Sequence, residues 1–387
     1  MTTYDFVAAS YVAFVVLLLS CSVAAVDDGG FSCKDPNGKN VSWFIVYKVP
    51  KLPGNKNKLI AAGLAHFYLD ANNPSPFRLS PVSVASSSGH ALANTLKQMH
   101  DGFIQKTDVL RLLMNDETPD KHKDSYHAHQ KGVVLFNRDG GFWMVHSMPR
   151  FPNRANRTYG WPDKDLRYGQ SFLCISMNST FLDVIANLLA ISHPTVYDFN
   201  LPKTFKVNAM FQQIAHNKAV PVNVTYKSSI ITASGTYLKT FQAFSKSKKF
   251  NKDLYGSLVA PRLKANLRTE TWQHGHRIPS TCPPSGYRVE NIITVKLGNS
   301  IVFNSTHDHS KYAVGDTSPI VCIGDINRQY SQFHRGGGTV CIFDANVWRV
   351  FQSLILAIEK CPNHIDETLK FIPRRRMIVH NSPTQYT

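Results

Sequence analysis

Two short patterns in this chain could do chemistry: His129-Gln130-Lys131 and His309-Ser310-Lys311. Residues two apart on an extended strand project to the same face, so each histidine and its lysine can address one substrate. A neutral imidazole can attack phosphorus and an imidazolium can protonate a leaving oxygen, while an ammonium supplies fixed positive charge to non-bridging phosphate oxygens. One His-x-Lys recurs often by chance, but two heading similar segments are far more specific. The chemistry they suit is phosphodiester cleavage, with His129, Lys131, His309 and Lys311 as the catalytic candidates.

Each pair must be carried by an element that aims it. Residues 129–146, HQKGVVLFNRDGGFWMVH, place the apolar runs Val133–Phe136 and Phe142–Val145 either side of Asp139-Gly140, which predicts a hairpin. Residues 309–327 repeat the plan with Tyr312–Val314, a turn over 315–319, and Ile320–Ile323. The return ends of these hairpins, His146 in one and Asp325 with Asn327 in the other, are candidates to orient the histidines. Elsewhere VSWFIVYKV at 41–49 predicts a buried strand, and residues 70–90 a loop. Helical spacing appears at Leu92, Leu96 and Met99, at Phe181, Ile185, Leu188 and Leu189, and most clearly at Phe351, Leu354, Ile355 and Ile358. Strands alternating with helices predict an α/β or α+β sandwich.

A chain of 387 residues is long enough for two cores, and 43% hydrophobic content excludes a disordered polymer. The 43 Lys and Arg against 26 Asp and Glu leave +17, and 16 histidines add more in acid, so a polyanion is the natural partner. The run Phe6–Leu19, followed by small residues, predicts a signal peptide over 1–25, though without a basic residue before it. No other stretch approaches the roughly 20 apolar residues of a membrane span. Cys21 falls within that segment, which leaves six cysteines, an even set suited to an oxidising compartment, with no CxxC to suggest zinc. Glycosylation sequons at Asn40, Asn156, Asn178, Asn223 and Asn304 agree with export, to the lysosome or outside the cell. For phosphate contact the sequence offers Lys246, Lys248, Lys249 and Lys252 beside Phe244 and Phe250, and Arg335 before Gly336-Gly337-Gly338; the RRR run at 374–376 reads as an exposed tail.

The segments HQKGVVLF, GGFWMVHSMPRFP, YGQSFLC, FNSTHDHSKYAV, CIGDINR and RGGGTVC resemble, in this order, the motifs of the deoxyribonuclease II family, over about Cys33 to Cys361. The resemblance implies a phospholipase D-like fold: two pseudo-symmetric αβα sandwich halves with mixed sheets, over 26–195 and 196–387, meeting at one site. It implies double-stranded DNA as substrate, an acid optimum, no metal or other cofactor, and 3′-phosphate and 5′-hydroxyl products. His309 and Lys311 fall on the family's principal active-site segment, and His129 and Lys131 on its partner. An acidic residue five positions after the lysine, a feature of the wider superfamily, is present as Asp316 but replaced by Phe136 in the first half. The resemblance also implies the disulfides Cys33–Cys174, Cys282–Cys361 and Cys322–Cys341, and no obligatory protein partner is evident. Two rival readings are a metal-dependent phosphoesterase, using His127 with His129 and His307 with His309, and a non-catalytic, toxin-like DNA-binding glycoprotein on the same fold.

Overall fold

The computed structural model describes residues 30–100 and 108–361; the expected signal segment at 1–25, with Cys21, and the run at 374–376 lie outside them. A two-stranded ribbon, β1 (Cys33–Lys34) and β2 (Asn40–Val41), opens the described chain. The first large sheet then takes β3 (Trp43–Lys48), β4 (His66–Asp70), β5 (Arg78–Leu79), β6 (Leu110–Asn115), β7 (Lys131–Phe136), β8 (Gly141–His146), β9 (Gln170–Met177) and β10 (Val196–Asn200). Their spatial order is β10-β6-β7-β8-β9-β3-β4-β5. The second takes β11 (Tyr226–Thr232), β12 (Thr240–Lys246), β13 (Leu267–Glu270), β14 (Val289–Leu297), β15 (Ile301–Asn304), β16 (Tyr312–Gly315), β17 (Ile320–Gly324), β18 (Gly337–Phe343) and β19 (Ile355–Ile358). It runs β11-β12-β18-β17-β16-β13-β14-β15, with β19 on β14. Short helices α1 (Lys58–Ala62), α2 (Ala91–His100), α3 (Leu182–Ser192), α4 (Met210–Ala215), α5 (Ala260–Leu263) and α6 (Ala345–Ser353) complete the mixed α/β architecture.

Alternation along the strands builds the layers. Trp43, Ile45 and Tyr47 of β3 join a core shared by both sheets, in which Phe241, Val295, Tyr312 and Ile323 also lie. Phe44 and Val46, pointing the other way, join an outer core under Leu92, Leu96 and Met99 of α2. On the second sheet Ala313, Cys322 and Cys341 face a third core beneath Tyr255–Leu263. The sheets thus stack through a common apolar interior to which α3, α4 and α6 also contribute. Helix α3, although it follows the first sheet in sequence, packs on β11 and β12 of the second, which ties the halves together.

Three expectations are corrected. Every pairing in the first sheet is antiparallel, and only β13 with β14 in the second is parallel, so the sheets are not both mixed. The first sheet continues past residue 195, because β10 pairs with β6. The helix read from Phe351 to Ile358 is instead α6 ending at Ser353, followed by β19. Asp344 sets the helix start by accepting from the amides of Asn346 and Val347, and the open edge of β14 captures the apolar run Ile355–Ile358 that follows. Both expected hairpins form, β7 with β8 and β16 with β17. In the first turn, Asn137 Oδ1 accepts from the amides of Asp139 and Gly140. Cys33–Cys174, Cys282–Cys361 and Cys322–Cys341 are bonded, the last joining directly opposed residues of β17 and β18.

Candidate active site

One cleft of about 340 Å³ is lined by His129, Lys131, His309 and Lys311, together with Trp272, His274, Asn327, Glu117 and others. Lys131 opens β7, and Lys311 lies one residue before β16, so each His-x-Lys sits where its hairpin leaves the sheet. The histidine amides are fixed across the halves: His129 N–H donates to the carbonyl of Gly336, and His309 N–H to that of Gly169, each at 2.9 Å. His129 Nδ1 lies 2.5 Å from the main-chain oxygen of Asp325. A carbonyl can only accept, so Nδ1 carries the proton and Nε2 presents a lone pair. The His309 ring lies flat on Tyr168, with centroids 4.2 Å apart and planes 7° apart, and Trp272 meets it edge-on at 3.8 Å. His309 Nε2 has no hydrogen-bond partner among the described residues.

The two lysines have different partners. Lys131 donates to Asp116 Oδ1, and Asp116 Oδ2 accepts from Arg335 at 3.1 Å. Lys311 donates to the His309 carbonyl. Burial by itself would raise the Asp116 carboxyl, but Lys131, His129 and Arg335 outweigh it and hold it well below the ordinary carboxylate range. Burial first, then Lys131, pushes His129 well below the usual imidazole value; burial, then Lys311, does the same to His309. Burial and the facing Lys131 bring Lys311 down to about 7. Asp116 is shared by Lys131 and Arg335, and Glu117 at the cleft's edge is paired with Lys123 and Arg150, so with Lys311 the cleft keeps an excess of positive charge, which an entering phosphate can neutralise.

Behind the second pair, Asp308 is fully buried, accepting from Tyr47 O–H and Ser310 N–H. It lies immediately before His309 and fixes its turn. Gly169 is required beside it, since a Cβ there would fall 2.3 Å from Asp308 Oδ1. Tyr168, Trp272, Asp116 and Asp308 were not among the sequence candidates. Tyr168 does open the YGQSFLC segment, but nothing in its spacing says that it lies under an imidazole from the other half.

The remaining candidates divide. Asn327 lines the cleft and its side chain accepts from the Trp272 amide at 3.3 Å. Asp325 reaches His129 only through its main chain; its carboxylate accepts from Gly338 N–H, and burial raises that carboxyl to about 7. His146 is fully buried among Phe151 and Phe172, where Nδ1 accepts from Met148 N–H, and does not line the cleft. Lys246 is 1% exposed, its ammonium spent on the carbonyls of Gln332, Phe333 and Arg335, so it has no face for DNA phosphate. Arg335 is likewise committed within the protein, to Asp116 and to the carbonyls of His127 and Asp124, and acts as a bridge between halves. Lys248, Lys249 and Lys252 are exposed, with the Lys248 ammonium 3.6 Å above the Tyr126 ring. Asp316 pairs with Arg268 and Arg288 outside the cleft, and Phe136 lies in the shared core. His127 pairs with Asp124 at 2.5 Å, and neither it nor His307 lines the cleft. Among the described residues no group of three or more histidine, cysteine or acidic side chains is placed to hold a metal ion. All five sequon asparagines are exposed, and no described helix is long and apolar enough to cross a membrane.

Comparison with known proteins joins this geometry to a family. The sequence profile described as Deoxyribonuclease II matches residues 32–361. Plancitoxin-1 of Acanthaster planci is 34% identical over 90% of this chain and 97% of its own length. Cell death-related nuclease 6 of Caenorhabditis elegans is 34% identical over 89% of this chain and 93% of its own. Deoxyribonuclease-2-alpha of Mus musculus is 34% identical over 89% and 97%. With profile and relatives both spanning nearly all of it, the chain belongs to the deoxyribonuclease II family.

Proposed function

We propose that this protein is an acid endodeoxyribonuclease that hydrolyses DNA without a metal, leaving 3′-phosphate and 5′-hydroxyl ends through a phosphohistidine. The observation that carries the reading is the convergence of His129, Lys131, His309 and Lys311 on one cleft. His129 Nε2, free because Nδ1–H is held by the Asp325 carbonyl, attacks phosphorus. The P–O5′ bond breaks and O5′ takes the proton of the His309 imidazolium. Lys131 and Lys311 each retain ammonium protons for the non-bridging oxygens, whose charge grows in the transition state. Water then gives its proton to the neutral His309 and attacks phosphorus, the P–N bond breaks, and His129 is released with the 3′-phosphate.

The same electrostatics support an acid optimum. Burial and the neighbouring lysines depress both imidazoles, so acidic solution is needed to load the proton that His309 delivers. Lysosomal or extracellular residence is supported by the apolar leader, the disulfides and the exposed sequons. A phospholipase D-like arrangement of two related halves is supported by the matching hairpins behind each His-x-Lys.

The test is digestion of plasmid DNA at pH 5 and pH 8, with and without chelator, followed by end-group analysis. The expected result is cutting at pH 5 that survives the chelator and leaves 3′-phosphates. Chelator-sensitive cutting, 5′-phosphate ends or undiminished activity at pH 8 would refute the reading.

A further inference from the structure

Two fully buried lysines lie outside the cleft and have no part in the steps above. Lys48 closes β3 and Lys246 closes β12, and they are 0% and 1% exposed. Lys48 Nζ donates to the carbonyls of Leu166 at 2.5 Å and Tyr168 at 2.7 Å, with Asp165 at 3.4 Å. Lys246 Nζ donates to those of Arg335 at 2.6 Å, Gln332 at 2.9 Å and Phe333 at 3.1 Å. Among the described residues neither ammonium has a carboxylate partner within ion-pairing distance.

Each triad of carbonyls belongs to a short turn that ends at a glycine. The Lys48 turn runs into Gly169 and the Lys246 turn into Gly336, with Lys48 paired in register to Gln170 and Lys246 to Gly337. Those glycines supply the carbonyls that hold the histidine amides, Gly169 for His309 and Gly336 for His129. Neither loop has room to drift, since a Cβ at Gly336 would fall 1.9 Å from the Ser192 carbonyl and one at Gly169 2.3 Å from Asp308 Oδ1.

An ammonium taken out of water without a counter-ion is expensive, and it persists where its donors all meet carbonyl acceptors. Finding this twice, at the same strand position and feeding the same kind of histidine contact, marks a device rather than a packing accident. We infer that Lys48 and Lys246 are positioning residues that act across the interface: Lys48 fixes His309 through the 165–169 turn, and Lys246 fixes His129 through the 332–336 turn. Burial lowers Lys48 to about 7 and Lys246 to about 8, so both braces are charged in acid.

The crossing makes the inference testable in the full chain. In histidine-selective NMR spectra, Lys48→Met should shift the ring signals of His309 more than those of His129, and Lys246→Met the reverse; this readout does not depend on the reaction proposed above. Lys→Arg at either site should restore most of the lost activity. The second arm rests on the proposed roles and uses DNA with sulfur in place of one bridging 5′ oxygen, a leaving group that needs no proton. In single turnovers read by strand cleavage, which report the first step alone, Lys48→Met should lose roughly 10- to 100-fold on ordinary DNA and recover on the sulfur substrate, as His309→Ala does, whereas Lys246→Met loses as much on both. If His129→Ala and His309→Ala fail to separate on the two substrates while the NMR crossing holds, the mechanism is wrong and the positioning stands. Variants that each disturb the histidine of their own half, or both alike, overturn the inference. Should either Met variant not fold, Lys→Gln, which keeps amide donors, is read the same way.

Discussion

The Nδ1 atom of His129 and the main-chain oxygen of Asp325 lie 2.5 Å apart, so an imidazole of the first half takes its tautomer from a carbonyl of the second. Because the acceptor is backbone, the Asp325 side chain is dispensable for this contact. His129→Ala and His309→Ala should each lower kcat by about 1,000-fold or more while DNA is still bound. Asp325→Asn, whose Oδ1 can still accept from Gly338 N–H, should stay within a few-fold of the parent at pH 5. A loss there as large as that of His129→Ala would mean that the carboxylate itself takes part.

Lys311, to which the proposed mechanism gives the phosphate oxygens, also depresses its neighbour. After burial it is the leading cause of the low His309 value, so its removal raises the imidazole. In Lys311→Met, therefore, the limb of kcat/KM that reports loss of the His309 proton should move to higher pH, while the maximal rate falls by roughly 100-fold or more. A pH–rate profile that keeps the parent position would contradict the coupling.

Acidic solution has a structural cost. Burial lowers His66 to about 3, His90 to about 4 and His146 to about 3, so these rings remain neutral in the folded protein at pH 5. The unfolded chain binds their protons near pH 6.5; stability is therefore complete above that value and declines as pH falls from about 6.5 toward 3. Each ring costs about 2 kcal/mol at pH 5. Unfolding free energies from urea titrations at pH 7.5 and pH 5 should differ less in His146→Phe than in the parent, by about 2 kcal/mol. An unchanged difference would show that His146 is already charged when folded.

Surface charge and buried charge should separate in DNA binding. Replacing exposed Lys248, Lys249 or Lys252 by Ala should reduce the slope of log K against log salt by about 1 for each phosphate that is no longer neutralised. Turnover at saturating DNA should be preserved, because none of the three lines the cleft. Salt titrations of a catalytically dead variant measure this directly, and identical slopes in parent and triple variant would remove this face from the DNA path.

Much of the candidate site was local and so legible in the residues. The His-x-Lys spacing, the alternation of 133–136 and 142–145 and the turn at Asp139-Gly140 lie within single hairpins, where the two-residue strand period decides which side chains point together. Local pattern failed where context chose between equal alternatives: Ile355–Ile358 suits a helix or a strand, and the open edge of β14 made it β19. At the return end of the first hairpin the difference is one position, since the strand period puts adjacent residues on opposite faces. The His146 ring turns in among Phe151 and Phe172, whereas Ser147, next along, hydrogen-bonds Gln170 and lines the cleft.

Residue types and spacing by themselves determined which imidazoles and ammoniums this protein brings to its cleft, and the hairpins that present them. Only the tertiary structure decided what surrounds them: Tyr168 beneath His309, the Asp325 carbonyl on His129, and the burial of Lys246 in a run of lysines that otherwise reads as surface. The reason is physical. A strand's periodicity is set by its own backbone, but desolvation, stacking and carbonyl contacts depend on which distant segment packs against it, and for His129 and His309 those segments come from the opposite half of the chain.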